Sequence, residues 1–212
     1  MKITLFGATG AVGGQCLRQA VDAGHEVTVL VRSAAKLPIE LRDSISIVEG
    51  DALNVDDVWR VIDADTEAVL FAIGVDKHSL PDLCTEISRH ILDALRGESG
   101  MRFIWCGGGS TFVEEDRITF GARFVRKFAE LFMSLRHEDK EHQYQLLQQY
   151  LDVKWLGVRP LQMKDGQLRG QYRIGFDRFN GFSNISFADC AHAMLSMLED
   201  DLWLHKAPII QY

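Results

Sequence analysis

"LFGATGAVGG" (residues 5–14) places four glycines, Gly7, Gly10, Gly13 and Gly14, directly after an apolar start. The residues before it, KITLF (2–6), are β-branched and apolar, and apolar residues then recur at helical spacing over 12–23. Strand, glycine-rich turn and helix in that order present backbone N–H groups and the positive end of a helix dipole to whatever lies above the turn. The spacing is G-x-x-G-x-x-G, not the commoner G-x-G-x-x-G. Gly7 permits a sharp exit from the strand, Gly10 the close approach of a phosphate, and Gly13 close packing of helix on sheet. Thr9, Ala11 and Val12 complete a loop suited to a dinucleotide diphosphate.

Outward from this turn the chain alternates short and long elements. EVTVLV (26–31), ISIV (45–48), AVLFAI (68–73), RFIWC (102–106) and VKWLGV (153–158) read as strands covered on both faces. Helical spacing is found over 55–63, 82–96, 137–150 and 187–200, with Ser186 and Asp189 as a capping box for the last. Such alternation predicts an α/β fold, a Rossmann-type doubly wound, mostly parallel sheet. No linker divides the 212 residues, so one domain, 1–212, is expected.

Composition narrows the partners. A net charge of −7 lacks the footprint of a nucleic-acid binder. No apolar run is long enough to span a bilayer and the start does not read as a secretory signal, so a cytoplasmic protein with no integral membrane segment is expected. Cys16, Cys84, Cys106 and Cys190 lie far apart, with no ligand spacing among cysteines and histidines, which predicts buried thiols and no metal.

At the tip of the second strand stand Arg32, Ser33 and, one turn on, Lys36, with no acidic residue. A carboxylate there would bind the ribose 2′-hydroxyl of NAD, whereas a guanidinium beside a hydroxyl suits a 2′-phosphate. NADP(H) is therefore expected over NAD(H).

With these residues the chain resembles the atypical short-chain dehydrogenase/reductases, specifically the biliverdin-IXβ reductase/flavin reductase-like and NmrA-like NAD(P)H-binding proteins. The resemblance rests on ITLFGATGAVGGQ (3–15), GHEVTVLVRSAAKLP (24–38), VEGDALN (48–54), VLFAIG (69–74), WLGVRP (155–160), ISFADCAHAML (185–195) and IIQY (209–212). It implies Asp51 and Ala52 at the adenine, Ala72, Ile73 and Gly74 along the cofactor trough, and Pro160 and Leu161 at the nicotinamide end. It also implies Ser110 beside the nicotinamide and substrate. Where the flavin reductase branch carries a histidine after the sixth-strand proline, this chain has Gln162, expected opposite Ser110 as a substrate-positioning group. The segment at about 107–140 departs from that branch and is read as a divergent substrate-side insertion.

The remaining candidates for acid–base chemistry are weak as sequence. Tyr150 and Lys154 have the Tyr-x-x-x-Lys spacing but fall on a helix end and a strand start, and Lys140 with Tyr144 reads as a solvated pair. His137 and His142 flank a charged run and read as solvated. Over 119–136 a single amphipathic helix is expected, with Phe120, Phe124, Val125, Phe128, Leu131, Phe132 and Leu135 on one face. That face packs on the protein, walls a substrate pocket, makes an oligomer contact or touches a membrane surface. Two functions fit: an NAD(P)H-dependent oxidoreductase acting on a small planar acceptor (flavin, quinone or tetrapyrrole), or an NmrA-like dinucleotide sensor. The chain is expected to be a monomer or homodimer.

Overall fold

A computed structural model describes residues 1–76, 78–98, 100–177 and 183–212. The first half runs β1 (Lys2–Phe6), α1 (Ala11–Asp22), β2 (Glu26–Val31), β3 (Ser46–Glu49), α2 (Val55–Val61), β4 (Ala68–Phe71), α3 (Leu83–Leu95) and β5 (Arg102–Cys106). The second half runs α4 (Phe120–Phe132), α5 (Ser134–Leu147), β6 (Lys154–Pro160), β7 (Gln162–Lys164), β8 (Arg173–Gly175), β9 (Asn184–Ser186), α6 (Phe187–Ser196) and β10 (Ile209–Gln211). Eight strands form one sheet in the order β3-β2-β1-β4-β5-β6-β10-β8, parallel except where β8 meets β10, and β7 pairs with β9 apart from it. The order reverses between β1 and β4, and the crevice above such a switch point is where doubly wound sheets bind ligands.

Side-chain alternation along the strands divides the core in two. Ile3, Leu5, Leu70, Ile104 and Leu156 point to the face covered by Cys16 and Leu17 of α1 and Cys190 and Met194 of α6. Phe6, Val69, Phe71, Phe103, Trp105 and Trp155 point to the face covered by Val58 of α2, Ile87 and Ile91 of α3, and Leu146 and Leu147 of α5. Each such buried side chain contributes about 1.5–3 kcal/mol, so strands apolar on both faces hold both helical layers.

The expected helix over 119–136 is corrected. It breaks at Met133 (φ −136°, ψ 32°), and α5 begins at Ser134. The apolar face of α4 points away from the protein, with Phe120 91% and Phe132 72% exposed. What faces inward is a narrow strip of Ala122 and Ala129, flanked by Arg126, which pairs with Glu130 at 2.9 Å and with Glu141 of α5 at 3.3 Å. The charged surface of α5 thus selects the charged side of α4 as its neighbour. Among the described residues no helix is long and apolar enough to cross a membrane.

Candidate active site

The glycine turn is built as three separate solutions. Gly7 has φ 91°, and a Cβ there would lie 2.7 Å from the Ala72 backbone, so only glycine lets β1 turn off beside the end of β4. A Cβ at Gly13 would lie 2.0 Å from the Gly7 carbonyl oxygen, so the third glycine lets α1 sit on the turn. At Gly10 the nearest protein atom to a Cβ is at 3.3 Å. Its open side faces a cleft of about 440 Å³ lined by Gly7, Thr9, Gly10, Arg32, Asp51, Ala52, Ala72, Ile73 and Gly74, with Leu83 and Ile87 of α3 on the far wall.

The first turn of α1, Ala11, Val12 and Gly13, has neither a side-chain cap nor an acidic residue, so its N–H groups are left to a ligand. Ser33 begins a short 3₁₀ turn that ends at Lys36. Arg32 and Lys36 are exposed and make no ion pair among the described residues. Glu49, opposite Val31 in the ladder, is engaged by the Ala34 N–H at 2.7 Å.

The loop after β5 rests on β6: the Gly109 N–H donates to the Pro160 carbonyl at 2.9 Å, and a Cβ at Gly109 would meet Leu161 at 2.8 Å. The loop is anchored from below by Arg159 and Asp116, a fully buried ion pair with contacts of 2.8 and 2.6 Å. Arg159 also donates to the Thr111 carbonyl, next to Ser110.

Three readings of the second half are corrected here. His137, expected in solvent, is 5% exposed, and its Nδ1 lies 3.1 Å from Ser110 Oγ. Lys140 is 6% exposed, and its ammonium donates to the Cys106 carbonyl at 3.1 Å, the Gln143 Oε1 at 2.9 Å and the Ile73 carbonyl at 3.5 Å. It does not pair with Tyr144, whose hydroxyl accepts from Gln148 at 3.1 Å and whose phenol is pushed up by burial. Gln162, expected opposite Ser110, stands exposed in β7 in register with Asn184; the side chain bonded to Ser110 is His137. Tyr150 donates to Asp93 at 2.7 Å while Lys154 opens β6, so that pair is structural.

Ser110, His137 and Lys140 therefore stand together at the carboxyl ends of β4 and β5. Ile73 belongs both to the cleft wall and to the Lys140 contacts, which places the cluster beside the cleft. Composition hid this cluster: HEDKE (137–141) reads as a solvated face, and only the partners on other elements show otherwise. Among the described residues no three His, Cys, Asp or Glu side chains gather as metal ligands.

A family model described as NAD(P)H-binding matches residues 7–201. The chain belongs to this NAD(P)H-binding family of atypical short-chain dehydrogenase/reductases. Its similarity extends over nearly the whole chain to the uncharacterized protein YwnB of Bacillus subtilis, 31% identical over 208 residues that span 94% of this chain and 92% of YwnB. SP1627 of Streptococcus pneumoniae, a candidate NADH-flavin reductase, superposes with a TM-score of 0.80 at 26% identity, covering 100% of this chain and 99% of its own. ChuY of Escherichia coli O157:H7, an anaerobillin reductase, shares the fold with a TM-score of 0.80 at 17% identity, covering 100% and 97% of the two chains.

Proposed function

We propose that the protein is an NAD(P)H-dependent reductase that delivers a hydride to a planar conjugated acceptor of the flavin, quinone or tetrapyrrole class, with NADPH preferred. The observation that carries this reading is the Ser110–His137–Lys140 cluster, joined through Ile73 to the wall of the cleft that holds the uncapped glycine turn. The open side of Gly10 and the free N–H groups of the α1 first turn fit a diphosphate. The dinucleotide, when bound, supplies the hydride; the chain supplies orientation and a site from which water is excluded.

Lys140 ties the ends of β4 and β5 together through the Ile73 and Cys106 carbonyls. Pro160 and Leu161 support the nicotinamide side, and the Ser110 hydroxyl is the group offered to the acceptor. Arg32, with Ser33 and Lys36 beside it, is the reader of a 2′-phosphate. The similarity to SP1627 supports a flavin as acceptor.

Oxidation of NADPH and NADH in the presence of FMN, FAD, a benzoquinone and biliverdin tests the reading. NADPH consumption with at least one acceptor is expected. Arg32→Ala should weaken NADPH binding by about 1–3 kcal/mol, the range of a charge-assisted contact, and leave NADH nearly unaffected. Equal losses would remove Arg32 from 2′-phosphate recognition. Binding without turnover on any acceptor would replace the reductase with a dinucleotide sensor.

A further inference from the structure

We infer that His137 is the proton reservoir of this site, acting through the Ser110 hydroxyl, with Glu130 as its link to solvent. The inference rests on the reductase reading and adds the source of the second reactant, the proton, which a hydride transfer to a conjugated acceptor also needs.

The imidazole is buried. Its Nδ1 lies 3.1 Å from Ser110 Oγ, and its Nε2 lies 3.8 Å from the Glu130 carboxylate of α4. In its imidazolium form the ring would donate Nδ1–H to Oγ and turn Nε2–H toward the Glu130 carboxylate, whose Oε1 also accepts from Arg126 at 2.9 Å. Glu130 is half exposed, so water reaches the outer end of the chain.

The other charges around the ring are accounted for. Arg126 of α4 is held between Glu130 and Glu141 of α5. The Lys140 ammonium, one turn along α5, is bound to carbonyls and to Gln143. Asp139 points away from this face into α3.

The step balances as follows. The C–H bond of the nicotinamide breaks, and its electron pair forms a new bond to hydrogen on the acceptor, leaving negative charge on an acceptor heteroatom. The Ser110 O–H proton passes to that atom, and the His137 Nδ1–H proton passes to Oγ. His137 is left neutral with its remaining proton on Nε2; a ring flip turns the bare nitrogen toward Glu130, where it takes a proton from solvent. His137 itself touches no reacting atom, which is why Ser110 has to sit between them.

Two measurements test it. In the protein without dinucleotide, the His137 ring resonances are followed by NMR as the pH is varied. Glu130→Gln should move that titration to lower pH, because removing a nearby carboxylate disfavours the imidazolium. A His137 that does not titrate, or that ignores Glu130→Gln, overturns the inference.

In the loaded enzyme, the single-turnover rate should fall as pH rises through the same titration. His137→Gln, which keeps a donor for Ser110 but no ionisation, should remove that limb and lower the rate by about 10²-fold at the acid end, with NADPH affinity unchanged. Ser110→Ala should likewise abolish the limb. A limb that survives in both variants overturns the relay while leaving the reductase intact. No turnover by the wild type overturns the reductase reading and the relay with it.

Discussion

At the scale of single residues, Gly7, Gly10 and Gly13 are chemically identical and structurally unlike. Gly7 and Gly13 answer to the protein's own backbone, at 2.7 and 2.0 Å from where a Cβ would stand, and Gly10 answers to the space above it. Gly13→Ala should therefore lose the fold, seen as lost cooperative unfolding by circular dichroism, since backbone cannot give by that much. Gly10→Val should retain the native spectrum and thermal transition while losing dinucleotide binding in a titration. A Gly10→Val protein that still binds would make this glycine an ordinary turn residue. These roles follow from the motif spacing, because each glycine's neighbour is fixed by where the strand ends and the helix begins. Arg32 at the strand tip is legible for the same reason.

At the scale of elements, α5 shows where reading by composition fails. SLRHEDKEHQYQ (134–145) looks like a solvated helix, yet His137, Asp139, Lys140 and Gln143 are buried. His137 is satisfied by Ser110 of the loop, Lys140 by the ends of β4 and β5, and Asp139 and Gln143 by the N-terminus and Ser88 of α3. Buried polar residues carry no apolar period, so periodicity cannot find them; their partners, 27 to 67 residues away, are visible only in three dimensions. The break at Met133 was hidden similarly, because the apolar pattern continues through it. The strands were legible because burial on both faces writes them as unbroken apolar runs.

Asp139 illustrates the cost of this arrangement. The residue before α3, Asp82, has left-handed φ 54° and gives no side-chain cap, so the carboxylate of Asp139 caps α3 from another helix, accepting from the N–H groups of Cys84 and Thr85 at 2.8 and 2.9 Å and from the Thr85 hydroxyl at 2.8 Å. Asp139→Ala leaves those buried donors unpaired and should lower stability by about 3 kcal/mol, measured by urea unfolding. A loss under about 1 kcal/mol would mean that water replaces the carboxylate.

At the scale of the whole molecule, one sheet faces two helical layers, and Cys16, Cys84, Cys106 and Cys190 all lie inside them. Burial pushes the Cys16 thiol up and raises Cys84 to about 11. In the Cys106–Cys190 pair, 3.9 Å apart, their hydrogen bond raises the Cys190 thiol and lowers the Cys106 thiol. An alkylating reagent must reach the sulfur it attacks and all four are buried, so the native chain should be inert to one and react only when it opens. The four thiols thus form a clock for opening that needs no label. A dinucleotide at about 100 times its dissociation constant adds about 2.7 kcal/mol to the bound native state, which slows alkylation about 100-fold where reclosing outpaces the reagent. Mass spectrometry of iodoacetamide-treated protein, with NADPH, with NADH and with neither, would count the modified cysteines over time. The ordering of the three rates would then rank the two cofactors without any acceptor being known.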